Sequence, residues 1–165
     1  MIRHTVRALC AASLVIAPLA ISTPAHAVTT CTVNGRTVTG TTVNGTAGSD
    51  SIRCGAVDAG DTVNGLGGSD IITITGPVAG TVNGGAGSDR VTVSSTASVS
   101  GVVAGNEGDD YVTVGGVTTT GDVLGGTGND FLRTGANAGL VDGDGGFDYC
   151  VVASGNDPEN CEFPF

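Results

Sequence analysis

The chain has no lysine and no tryptophan, and both of its histidines, His4 and His26, lie within the first 27 residues. Beyond residue 27, four arginines stand against sixteen aspartates and glutamates, which gives that part of the chain a net charge of −12. So acidic a surface repels nucleic acid and attracts cations. The missing histidine and lysine remove the usual general base and the amine nucleophile. We therefore predict that the protein binds no nucleic acid and is not an enzyme.

The first 27 residues have the pattern of a secretory signal. Arg3 and Arg7 give a positive start, residues 9–21 are apolar, and Ala25-His26-Ala27 has the small-x-small pattern of a cleavage site. The apolar stretch is interrupted by Pro18 and is too short to span a bilayer comfortably. The sequence therefore predicts a secreted protein, without membrane insertion, that begins at Val28.

Four cysteines follow the predicted signal, namely Cys31, Cys54, Cys150 and Cys161. An even number in an exported protein predicts two disulfides, for which three pairings exist. Proximity along the chain favours Cys31–Cys54 and Cys150–Cys161. A zinc site is the competing interpretation, and the lack of any CxxC spacing argues against it.

Internal repetition is the strongest signal in the sequence. Six segments each begin with Val and end with Asp seven residues later, with a Gly two residues after the Val and another two residues before the Asp. Successive Asp residues are 18 to 21 residues apart, and all of this variation falls between one Asp and the next Val. The segments are Val43–Asp50, Val63–Asp70, Val82–Asp89, Val103–Asp110, Val123–Asp130 and Val141–Asp148.

A short strand pattern follows each Asp, with apolar residues two and four positions later, such as Ile72 with Ile74 and Val91 with Val93. Strands this short cannot bury a core alone, but they can when coil is stacked on coil. We predict an all-β fold, a parallel β-roll or β-solenoid of about six coils with Gly-Asp turns and disulfide-capped ends. Four Asn-Gly dipeptides suggest a meander of hairpins as the alternative.

The predicted organisation has four parts. Residues 1–27 form the signal peptide, residues 28–42 an N-terminal cap, residues 43–150 the repeat solenoid, and residues 151–165 a C-terminal disulfide cap.

The repeated Gly-x-x-Gly-x-Asp turn has the chemistry of a calcium site. Glycine allows positive φ, which can turn carbonyl oxygens toward a common point, and calcium accepts six to eight carbonyl and carboxylate oxygens. Aspartates stacked at a strand spacing of about 4.8 Å repel each other by roughly 3 to 4 kcal/mol at an effective dielectric near 20. No lysine is present to offset this repulsion, so we expect Ca²⁺ between the turns.

The predicted calcium ligands are the two glycines and the aspartate of each turn: Gly45, Gly48, Asp50, Gly65, Gly68, Asp70, Gly84, Gly87, Asp89, Gly105, Gly108, Asp110, Gly125, Gly128, Asp130, Gly143, Gly146 and Asp148.

The motif resembles the hemolysin-type (RTX) calcium-binding repeat of bacterial proteins, Gly-Gly-x-Gly-x-Asp-x-U-x. Residues 84–91 and 125–132 match it fully, whereas the other four turns replace the second glycine by Thr46, Leu66, Asn106 or Asp144. The resemblance covers about residues 43–150 and implies a parallel β-roll with calcium along its edges. Here one motif occurs every ~20 residues instead of two, so calcium is expected along one edge only, in at most five gaps.

These observations predict a small secreted, non-catalytic calcium-binding protein whose folding is coupled to the metal. A calcium-independent structural or adhesive surface solenoid is the main alternative. In either case, a cell surface or a polysaccharide is the class of partner that we consider besides calcium. A carbohydrate-active enzyme is a weaker alternative, since paired carboxylates are plentiful. Tyr111, Phe131 and Tyr149 each follow a motif Asp, and we expect them to stack as a structural ladder or to form a partner-binding stripe.

Overall fold

The computed structural model describes residues 27–162, and every regular element in that range is a β-strand. No helix in that range is long and apolar enough to cross a membrane. The predicted signal peptide, apart from Ala27, and the last three residues of the predicted C-terminal cap lie outside the described residues.

The strands are β1 (Thr29–Val33), β2 (Arg36–Gly40), β3 (Thr42–Asn44), β4 (Ser51–Cys54), β5 (Thr62–Gly67), β6 (Ile71–Ile74), β7 (Thr81–Ala86), β8 (Arg90–Val93), β9 (Ser98–Val99), β10 (Val102–Glu107), β11 (Tyr111–Val117), β12 (Asp122–Thr127), β13 (Phe131–Asn137), β14 (Leu140–Gly145) and β15 (Tyr149–Gly155).

The strands form two sheets that run along the stack of coils. One sheet has the order β15-β13-β11-β8-β6-β4-β1-β2, with β9 beside β11, and the other has the order β14-β12-β10-β7-β5-β3. From β3 onward, every pairing between neighbouring coils is parallel. The Gly-rich turn carries each coil from the second sheet to the first. The predicted parallel β-solenoid of about six coils is therefore confirmed, and the hairpin-meander alternative is wrong.

The core consists of columns of β-branched and aliphatic side chains in register. The six motif valines point inward from the second sheet, and each is at most 1 % exposed. Ile72 and Ile74 in β6, together with Val91 and Val93 in β8, face them from the first sheet and are also buried. Burial of each such side chain contributes about 1.5–3 kcal/mol. The motif valines are Val43, Val63, Val82, Val103, Val123 and Val141.

A further buried column lies on the edge opposite the Gly-Asp turns. Val57 pairs with Val78, and Val78 pairs with Val99 through isolated parallel bridges, after which the column continues to Val117. These valines are at most 4 % exposed, and the column ends at the buried Asn137. The loops that contain these valines differ in length, but each places one apolar side chain at the equivalent position of its coil.

The two ends of the stack are built differently from its middle. At the N-terminal end, β1 pairs antiparallel with both β2 and β4, and Thr29 donates from its N–H and Oγ1 to the carboxylate of Asp61 at 2.7 and 2.8 Å. The favoured disulfides are both confirmed: Cys31–Cys54 joins β1 to β4, and Cys150–Cys161 ties β15 to the chain that follows it.

Candidate functional site

The Gly-Asp turns use glycine for two different reasons. The later glycine of the turn needs left-handed backbone, with φ of 129° at Gly87 and 118° at Gly108. The first glycine lies within a strand, and its lack of a side chain makes room. A Cβ on Gly105 would overlap Oδ2 of Asp110 and would lie 2.7 Å from the carbonyl oxygen of Gly125 in the next coil. The turn thereby brings a carboxylate and a carbonyl from adjacent coils close together.

The second position of the turn keeps left-handed backbone even where glycine has been replaced. Leu66, Asn106 and Asp144 have φ of 82°, 85° and 64°. Such a conformation costs a residue like Leu66 roughly 1–2 kcal/mol, whereas Asn and Asp adopt it more readily. The packing of neighbouring coils therefore imposes one turn shape on these three substituted sequences.

The aspartates of the six turns form a hydrogen-bonded ladder. The backbone N–H of each aspartate from Asp50 to Asp130 donates to Oδ1 of the aspartate in the next coil, at 2.7 or 2.8 Å. All six residues are at most 4 % exposed. The structure thus brings the predicted aspartates together as one buried column at strand spacing.

The second carboxylate oxygen is unsatisfied in five of the six turns. Oδ2 is buried and has no hydrogen-bond partner in these five residues, which are Asp70, Asp89, Asp110, Asp130 and Asp148. A carboxylate oxygen in this condition is costly to keep ionised unless a proton or a cation reaches it.

The electrostatics of the ladder reflect this lack of compensation. Burial is the main cause that raises the pKa of Asp110 to about 7 and that of Asp130 to about 6, and charged neighbouring aspartates raise both further. Burial also raises the pKa values of Asp70, Asp89 and Asp148. Hydrogen bonds from the backbone of the preceding coil oppose the increase only in part.

The first turn differs because polar side chains satisfy its carboxylate. Thr46 donates to Oδ2 of Asp50 from its N–H at 2.5 Å and from its Oγ1 at 2.9 Å, and the side-chain amide of Asn34 donates to Oδ1. The pKa of Asp50 is accordingly lowered, chiefly by the bond from the Thr46 backbone. Sequence reasoning noted Thr46 only as a replaced glycine and missed Asn34, which lies outside the repeats.

The aromatic residues after the motif aspartates stack as predicted. The ring centroids of Tyr111 and Phe131 are 4.7 Å apart and those of Phe131 and Tyr149 are 5.2 Å apart, with interplanar angles of 4° and 12°. The guanidinium of Arg90 lies over the Tyr111 ring, 4.2 Å from its centroid. This stack runs beside the aspartate ladder, one residue further along each coil, and supports the same coil spacing.

The ladder can hold a cation only with help from the backbone. Among residues 27–162, no three His, Cys, Asp or Glu side chains gather closely enough to bind a metal ion by themselves. Four of the five unsatisfied Oδ2 atoms, those of Asp70, Asp89, Asp110 and Asp130, have the first-glycine carbonyl of the next coil near them, for example that of Gly84 beside Asp70. A mixed set of carboxylate and carbonyl oxygens is what Ca²⁺ accepts.

Comparisons of the chain with protein-family models, with curated proteins and with solved structures gave no match. The resemblance to the RTX repeat therefore rests on the motif residues alone.

Proposed function

We propose that this protein binds Ca²⁺ between successive Gly-Asp turns, without catalysis, and that the metal stabilises the stacked coils. The observation that carries the proposal is the row of buried, unpartnered Oδ2 atoms on the motif aspartates. Asp70, Asp89, Asp110 and Asp130 would supply carboxylate oxygens, and the first glycine of the following coil a carbonyl oxygen. Asp50 is not needed, because hydrogen bonds already satisfy both of its oxygens.

The charge of the molecule supports a divalent cation as the partner. Beyond residue 27 the net charge is −12 and no lysine is present, so a bound Ca²⁺ reduces repulsion along the ladder and across the whole surface. Calcium also needs neither an imidazole nor a thiolate ligand. Residues 27–162 contain no histidine, and their four cysteines are disulfide-bonded.

A calcium-independent structural solenoid is the second candidate, and one observation favours it. The hydrogen bonds between successive aspartates, the apolar columns of the core and the two disulfides hold the coils together without any metal. In that case the raised pKa values of Asp110 and Asp130 mean that protons, instead of calcium, neutralise part of the ladder.

Far-UV circular dichroism of the oxidised protein, titrated with calcium after treatment with a chelator, separates the two candidates. Calcium binding predicts a gain in β signal or in melting temperature at sub-millimolar to millimolar calcium. The gain should shrink markedly in the double variant Asp89→Asn with Asp110→Asn, which removes two of the four proposed carboxylate ligands. The double variant Asp58→Asn with Asp157→Asn makes the same charge change outside the ladder and should retain it. A spectrum and melting temperature that ignore calcium and chelator alike would support the structural solenoid.

A further inference from the structure

The chain after β15 lies against the sixth coil as a seventh coil would. Glu159 forms a parallel bridge with Asp142, its N–H donates to the carbonyl of Val141 at 2.8 Å, and its carbonyl accepts from the N–H of Gly143 at 3.0 Å. The side-chain amide of Asn160 donates to Oδ1 of Asp142 at 2.8 Å. Asn64 and Asn83 each make the same kind of side-chain bond to the preceding coil, at 2.8 and 2.9 Å.

This segment also reproduces the oxygen positions of a Gly-Asp turn. In the repeats, a Cβ on the first glycine would meet Oδ2 of its own aspartate and the first-glycine carbonyl of the next coil. At Gly143 the corresponding atoms are Oδ2 of Asp148, at 2.7 Å, and the carbonyl oxygen of Asn160. The Asn160 carbonyl therefore stands where the glycine carbonyl of a seventh repeat would stand.

Glu162 takes the place of a seventh aspartate. The backbone N–H of Asp148 donates to Oε2 of Glu162 at 2.6 Å, in the same way as the N–H of Asp130 donates to Oδ1 of Asp148 at 2.8 Å. The N–H of Glu162 in turn donates to the carbonyl of Asp148 at 2.9 Å. No repeat motif occurs here, since the residues around Glu162 read Asn160-Cys161-Glu162.

The carboxylate of Asp148 lies among these groups without a compensating contact for one of its oxygens. Asp148 is 0 % exposed, and its Oδ2 is buried without a hydrogen-bond partner. Burial raises its pKa, and the negative charges of Glu162, Asp144 and Asp142 raise it further. The first turn, at the opposite end, shows no such oxygen, because Thr46 fills that place at Asp50.

We propose that the C-terminal segment completes one further calcium site, in which Oδ2 of Asp148, the carbonyl oxygen of Asn160 and the carboxylate of Glu162 are ligands. The Cys150–Cys161 disulfide lies between the two ligands of this segment and ties them to β15. The site is therefore linked to the redox state of that disulfide, unlike the sites between repeats. This proposal rests on the proposed function and assigns to it two residues outside the repeats.

Calcium stoichiometry tests the assignment. Equilibrium dialysis or isothermal titration calorimetry of the oxidised protein should give one calcium ion fewer for Glu162→Gln than for the wild type. Glutamine keeps the acceptor for the Asp148 N–H and removes only the charge. Glu159→Gln is the matched control, because Glu159 is exposed and contacts the sixth coil through its backbone; it should bind the wild-type number of ions.

Removal of the disulfide gives a second, independent measurement. The double variant Cys150→Ser with Cys161→Ser should lose the same single ion, and adding Glu162→Gln to it should remove no further ion. The double variant Cys31→Ser with Cys54→Ser, at the other end, should keep the full number provided that its β signal persists. Equal stoichiometry and affinity in Glu162→Gln and Glu159→Gln would overturn the proposal while leaving calcium binding by the repeats intact. Absence of binding in the wild type would overturn both.

Discussion

Replacement of Asp110 by asparagine should change stability in opposite directions with and without calcium. The asparagine side chain would keep the Oδ1 acceptor that the N–H of Asp89 uses at 2.7 Å. It would remove the negative charge that Oδ2 carries in a buried position without a partner. Without calcium the buried charge only destabilises the folded state, whereas with calcium it is part of the proposed site.

The size of the effect follows from the surroundings of the carboxyl group. Burial, followed by the charges of Asp130, Asp89 and Asp109, raises the pKa of Asp110 from 3.8 to about 7. A rise of that size corresponds to about 4 kcal/mol of lost stability once the group is ionised. Relaxation of the turn and water penetration around the ladder reduce this to about 2 kcal/mol. At pH 8 in chelator, Asp110→Asn should therefore gain about 2 kcal/mol, or about 6–10 °C in melting temperature.

Thermal unfolding followed by circular dichroism at pH 8 measures the change in melting temperature in chelator and in calcium with one protein preparation. In chelator the variant should melt above the wild type, and in saturating calcium it should melt below it. Asp109→Asn is the control, because Asp109 is exposed and bonds Asn129 through an Oδ1 acceptor that asparagine retains; it should change stability by no more than about 0.5 kcal/mol in either condition. An Asp110→Asn variant that is equally destabilised with and without calcium would refute the charge argument.

Three other perturbations test different parts of the structure. In chelator, the melting temperature should fall as the pH rises from about 4 to about 7. The reason is that the raised pKa values of Asp110 and Asp130 let the folded state bind more protons than the unfolded chain in this range. A melting temperature that rises or stays constant over that range contradicts this prediction. Gly125→Ala should prevent stacking at its turn and lower the free energy of unfolding by several kcal/mol, because the added Cβ overlaps Oδ2 of Asp130. Gly55→Ala is the control: its added Cβ has no atom within 4 Å, so this variant should fold normally in the same denaturant titration. Phe131→Leu should cost about 1–3 kcal/mol through two lost ring stacks. The cost should be equal in calcium and in chelator, and a calcium-dependent cost would show that the stack is coupled to the ladder.

The sequence was sufficient to predict the stacked coils and the strand after each Asp, because the Val-to-Asp spacing is constant and the apolar residues after each Asp alternate. The core column on the edge opposite the Gly-Asp turns could not be predicted in the same way. Val57, Val78 and Val99 lie in the segments whose length varies, so no fixed offset from the motif points to them. The register there is set by packing against the other columns of the core, which only the folded structure shows.

The candidate site was predicted as a column, but its two ends were not. Asn34 caps Asp50 from a hairpin turn in which its φ is 49°, and Glu162 follows the last repeat by 14 residues. Neither residue belongs to a repeat, and each acts through a contact between segments distant in sequence. The spacing of the repeats cannot reveal such contacts. In the folded structure they are found directly, because Asn34 bonds the buried Asp50 and Glu162 bonds the buried Asp148.

The strictly parallel register between coils has a consequence for how such a chain can change in length. Arg90 and Tyr111 occupy equivalent places in successive coils, so deleting residues 90–110 would join Asp89 directly to Tyr111 and leave every remaining column aligned. A duplication of the same segment would lengthen the stack without disturbing either terminus. One deletion or duplication of this length would therefore remove or add a whole coil, and under the proposed function it would change the number of calcium sites by one.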